Sequence, residues 1–92
     1  MTAISAQKTV TAAGTAEQLG SGVCGVNLMI KALVTNTGLV FIGNDSADVT
    51  SANGQELDAG EYLVIKDCAR LDQIYIDAAI NGDGVAWLFL DV

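Results

Sequence analysis

With 92 residues the chain has room for one domain, 1–92, and its 51% apolar content supplies one core. A domain of this size buries only about 60–65% of its unfolded surface, so self-association would add useful burial. Eleven Asp and Glu against four Lys and Arg give a net charge of −7, which argues against binding to phosphate backbones. There is no histidine, which removes Ser–His, Cys–His and His–metal chemistry.

Val, Ile, Thr and Leu are plentiful, glycine occurs 10 times and proline is absent, a composition that leans to sheet with glycine making the turns. Residues 1–10 lack the basic-then-apolar pattern of a secretory signal, and no apolar run is long enough to cross a bilayer as a helix. The first strand is expected at 4–11, with 1–8 also readable as a flexible arm, and a short polar hairpin partner at 16–19. Residues 26–34 alternate, with Val26, Leu28, Ile30, Ala32 and Val34 on one face and Asn27, Met29, Lys31 and Leu33 on the other, the period of a half-buried strand. Asn36 and Gly38 then suit a turn, and 39–43 is expected to return as the partner in a central hairpin.

The stretch 44–54 is rich in Asn, Asp, Ser and Gly with Val49 as its aliphatic anchor, and reads as an exposed loop. Residues 55–57 suggest a brief strand. Residues 61–66 form another, with Leu63 and Ile65 facing inward against Tyr62 and Val64. In 71–78, Leu71, Gln73, Tyr75 and Asp77 oppose Ile74 and Ile76, and 69–73 has room for at most one helical turn. Asn81, Gly82, Asp83 and Gly84 predict a hairpin turn into 85–90, an almost wholly apolar strand. Such a strand suits cover on both faces, by the core and by a neighbouring subunit, with Trp87 as anchor. The pattern as a whole is an antiparallel β-sandwich or barrel of about eight short strands, all-β and single-domain.

Candidate chemistry is sparse. Asp45, Asp48, Asp58, Asp67 and Asp83 sit where turns are expected, which accounts for them as turn formers and solubilising charges. Residues 44–48 are oxygen-rich and suit at most a weak hard-cation site, while 81–84 lacks the spaced carboxylates of a calcium loop. Neither Gly20-Ser21-Gly22 nor Gly82-Asp83-Gly84 opens a helix that would receive a phosphate. Lys8, Lys31, Lys66 and Arg70 are dispersed and read as solvated edge or strand-face charges. Cys24 and Cys68 match no metal spacing and are expected as free packing thiols in a reducing cytosol, although neighbouring strand ends would let an oxidising environment join them. Trp87, Phe41, Tyr62, Tyr75 and Phe89 read as core or subunit-interface residues before they read as a ligand platform. No catalytic, metal-binding or cofactor-binding residue emerges, and the expectation is a protein that is not an enzyme.

Four segments taken in order, TVTAAGTAEQL at 9–19, IKALVTNTGLVFIG at 30–43, NGQELDAGE at 53–61 and LDQIYID at 71–77, resemble small phage virion structural proteins of the capsid decoration, or cement, type. The resemblance spans nearly the whole chain from Thr9. It implies a jelly-roll-like β-sandwich, made in the host cytoplasm and carried on the virion's capsid surface. Its expected partners are the major capsid protein and further copies of itself, as a homotrimer or else a dimer, with no nucleic acid and no membrane. The contact with the capsid is expected at the N-terminal arm, Thr2, Ala3, Ile4, Ser5, Ala6 and Gln7, and Trp87, Phe89 and Tyr75 are expected to anchor a core or a subunit interface. A tail or baseplate adaptor, or a module binding glycans on a host surface, are the alternatives.

Overall fold

The computed structural model describes residues 5–44, 49 and 54–90. The described residues form eight strands: β1 (Ser5–Thr9), β2 (Glu17–Gln18), β3 (Val23–Ala32), β4 (Val40–Gly43), β5 (Gln55–Leu57), β6 (Tyr62–Arg70), β7 (Tyr75–Ala78) and β8 (Gly84–Phe89), and among them a single 3-10 turn lies at Leu71–Gln73. They form two four-stranded antiparallel sheets, β1-β8-β3-β6 (sheet A) and β2-β7-β4-β5 (sheet B). Apart from β4 and β5, each strand lies in the other sheet from the one before it, and this strand order is that of a jelly roll.

The alternation seen in the sequence explains the faces. Leu28, Ile30 and Ala32 of β3 and Val85, Trp87 and Phe89 of β8 point inward from sheet A, and Val40, Ile42, Leu57, Ile76 and Ala78 meet them from sheet B. Leu63 and Ile65 of β6 pack against this core, as their spacing requires. Val10, Leu19, Leu71 and Ile74, at or beyond the strand ends, cap it. Val34, placed inward by periodicity, is 70% exposed, because β3 ends at Ala32 and the chain has already turned.

Three expected hairpins are not formed. The strand at 5–9 pairs with β8 and not with β2, β3 pairs with β6 and β8 and not with β4, and the turn at 81–84 carries the chain from β7 in one sheet to β8 in the other. A glycine-rich turn between two apolar strands serves a hairpin or an arch equally well. Here the arches win because they set two apolar faces against each other, whereas a hairpin would place both in one sheet and leave that face uncovered.

Buried carboxylates hold the arches. Asp83 is 7% exposed and accepts N–H groups from Thr37 (3.0 and 3.2 Å) and Gly38 (2.8 Å), tying the β3–β4 arch to the β7–β8 arch. Beside it, the Asn36 side chain accepts from Gly84 N (2.9 Å) and donates to Gly84 O (2.8 Å). Asp77, 3% exposed, accepts from Gly14 N (2.9 Å) and Ala78 N (2.8 Å), fastening the β1–β2 arch against sheet B. Gly84 stands opposite Thr9 where β1 and β8 come together. A Cβ there would run into the Lys8 carbonyl and lie 2.7 Å from Thr9 Cα.

Candidate interaction surface

The sheet registers define the surface. Residues directly opposite one another share a face, so the outer side of sheet A carries the row Ser5, Leu88, Met29, Val64 and, beside it, Gln7, Ala86, Lys31, Tyr62. Leu88, Met29 and Val64 therefore form an apolar band across three adjacent strands, with Ala86 and Tyr62 extending it. Tyr62 is 63% and Val64 44% exposed, while Met29, Ala86 and Leu88 are half-buried. A shallow hollow of about 300 Å³, lined by residues that include Gln7, Met29, Lys31, Ala86 and Leu88, lies on this face.

The band is bordered by the two edges of the sheet, β1 and β6. Ser5, Ala6 and Gln7, three of the residues expected in an N-terminal arm, belong to β1 and are exposed there. Thr2, Ala3 and Ile4 lie outside the described residues. On the inward side of β1, Lys8 Nζ lies 2.9 Å from Glu17 Oε1 on β2, and Glu17 Oε2 accepts Thr11 N at 2.7 Å. This pair closes one flank of the sandwich across its two edge strands. The Lys8 ammonium and the Thr11 amide hold the Glu17 carboxyl below the usual value.

The aromatic anchors divide. Trp87 and Phe89 are 6% and 7% exposed and stack at 5.2 Å with their planes 35° apart, so both serve this chain's own core. Tyr75 is half-buried on β7, and Phe41 is 4% exposed, which leaves Tyr62 as the exposed aromatic side chain among the described residues. A second hollow of about 450 Å³, lined by Ala6, Gln7, Leu19, Gly20, Ser21, Leu71 and Trp87, opens at one end of the sandwich.

Several of the described charged groups are committed to structure. Asp58 Oδ1 and Glu61 Oε1 accept backbone N–H groups within their own turn, at 2.8 and 2.7 Å. Arg70 makes a two-point pair with Asp72, both contacts 2.9 Å, which lowers the Asp72 carboxyl and raises the Arg70 guanidinium. Of the loop considered for a weak cation, 45–48 lie outside the described residues. No group of His, Cys, Asp or Glu among the described residues is arranged to hold a metal ion.

The outer band of sheet A is only half legible in the sequence: β8 reads as a strand covered by a neighbour, while Met29 and Val64 fall on the faces opposite Leu28 and Ile30 and opposite Leu63 and Ile65. Their signal was their chemistry, since aliphatic residues in the polar phase of two strands mark a face that water does not suit. Asp77, between Ile76 and Ala78 in an alternating strand, reads as solvent-facing; its burial follows from the β1–β2 arch, whose Gly14 N–H it accepts. Fold and surface together define a small jelly-roll protein with an apolar face on sheet A between the edge strands β1 and β6. No protein-family model matches the chain, and no curated protein matches it.

Proposed function

We propose that the chain is a structural protein of a phage virion, a decoration or cement subunit that binds the assembled capsid shell and stabilises it. The observation that carries the proposal is the apolar band Leu88, Met29, Val64 on sheet A, bordered by Tyr62 and by the exposed edge strand β1. A jelly roll is common among viral capsid domains, although lectins and cupins share it; the surface therefore carries more weight than the fold.

In this reading the band is the contact between copies, with a trimer favoured because capsid threefold positions invite a three-fold partner. The residues at Thr2–Gln7 reach the shell by extending or pairing along the β1 edge, where main-chain groups are open to a further strand. Binding the shell but not free capsid subunits adds the binding free energy to shell stability. At a free concentration 100-fold above Kd this linkage contributes about 2.7 kcal/mol per site.

The test is co-sedimentation of purified protein with assembled shells and, separately, with unassembled capsid protein. Retention on shells alone is expected. Equal binding to both, or to neither, would overturn the proposal, and localisation to the tail of intact virions by electron cryomicroscopy would transfer it to an adaptor role.

A further inference from the structure

We infer that Cys24 and Cys68 form a thiol–disulfide exchange site, at which a low-molecular-weight disulfide closes a bond between β3 and β6. The inference rests on strand geometry and not on the proposed virion role.

Cys24 is on β3 and Cys68 on β6, neighbouring antiparallel strands, and their ladder is interrupted twice between Val23↔Arg70 and Leu28↔Ile65. On β3 the extra residue falls at Cys24 and Gly25, where Gly25 has a φ of 73°, and on β6 at Lys66 and Asp67, where Asp67 has a φ of 54°. Asn27 Oδ1 accepts Asp67 N at 2.9 Å and holds the second bulge in place. Two bulges on opposite strands restore the register beyond them, and between them they turn both cysteines inward.

Cys24 and Cys68 are 9% and 5% exposed, and Cys24 stands near enough to bear on the Cys68 thiol. The register sets Cys68 opposite Val26, so Cys24 reaches it diagonally across the β3 bulge, and both side chains belong to the same core cluster. Each sulfur also meets a carbonyl of its own strand, Cys24 Sγ donating to Val26 O (3.4 Å) and Cys68 Sγ to Arg70 O (3.7 Å). Burial, reinforced by the Cys24 contact, pushes the Cys68 thiol up to about 12, so its thiolate is scarce at neutral pH. The exchange is accordingly slow and begins at Cys24, the less buried sulfur, next to Val23, which is 61% exposed.

Cys24 loses its proton and its thiolate attacks one sulfur of the small disulfide, expelling one small thiolate. Cys68 then loses its proton and attacks Cys24 Sγ, expelling the second. The protein gives up two protons and two electrons, and two small thiols are formed. The new bond fastens the edge strand β6 to the interior strand β3 and closes a long loop of the unfolded chain.

The experiment is prolonged incubation of the full chain with glutathione disulfide, then unfolding, alkylation of free thiols and intact-mass measurement. Expected are a monomer lighter by two hydrogens with no alkylated cysteine, and a Tm raised by on the order of 10 °C that reverts with a reductant. Cys24→Ser and Cys68→Ser are each expected to show no such rise. Two alkylated thiols, a lasting glutathione adduct, or a covalent dimer would overturn the inference, and because these are read on the unaltered chain, a variant that fails to fold does not blunt the test.

Discussion

At Asp83 one carboxylate stands between two arches, and its oxygens receive the amides of Thr37 and Gly38. Removing it leaves these part-buried donors without a partner, at roughly 1–3 kcal/mol for an unsatisfied group. Asp83→Ala is therefore expected to lose about 2–4 kcal/mol in urea denaturation, and Asp83→Asn less, because its amide oxygen still accepts. Glu17 gives the pH dependence. Its pKa is lowered in the fold, chiefly by Lys8 and then by Thr11 N, so its stabilisation is present above the unfolded value of 4.5 and lost as pH falls through the lower folded value. A partly exposed pair contributes below about 1 kcal/mol. Melting curves of the chain and of Glu17→Gln should differ near neutrality and converge in acid; a difference that persists below the folded value would point to packing instead. At the other end of the scale, the raised Cys68 pKa predicts stability lost between pH 9 and about 12, an alkaline loss that Cys68→Ala should remove.

Among the elements, β1 and β8 meet most tightly at Gly84, and a methyl group there would strike the β1 backbone. Gly84→Ala is expected to cost about 1–3 kcal/mol by overpacking, which differential scanning calorimetry would read; a neutral result would mean that β1 shifts to make room. The arches are the elements that residue patterns described least well. Strand periods at 26–32, 55–57 and 61–66 were legible, and the single turn near 71–73 was as well, because periodicity and turn chemistry are local. The choice between a hairpin and an arch at 12–16, 35–39 and 81–84 is not local. It depends on which apolar face lies across the interior, and Asp77 and Asp83 take part only after the arches have formed.

For the whole molecule, the proposed contact predicts a separation of folding from assembly. Val64→Glu combined with Leu88→Glu alters the exposed band and leaves the inward row Trp87, Ile30, Leu63 intact. It should abolish oligomers in light scattering while Tm falls by only a few degrees; unchanged oligomers would remove sheet A's face from the proposal. Because Ser5 to Thr9 form β1, the expected capsid arm is best tested by removing residues 1–4 alone, with reduced shell binding and an unchanged Tm as the expected result.

By itself the sequence determined the class: one all-β domain with acidic charge, no histidine chemistry, and strands whose inward residues can be named from a period of two. It also marked Trp87 as an anchor, while leaving open whether the anchor serves the chain or a neighbour. Only the tertiary structure decided that Trp87 and Phe89 stack in this chain's own core, that Met29, Val64 and Leu88 line up as one band, and that Cys24 and Cys68 meet. The physical reason is that alternation gives each strand two faces but does not say which strand lies beside which. Those neighbours are selected by covering apolar surface and satisfying buried amides across positions far apart in the chain.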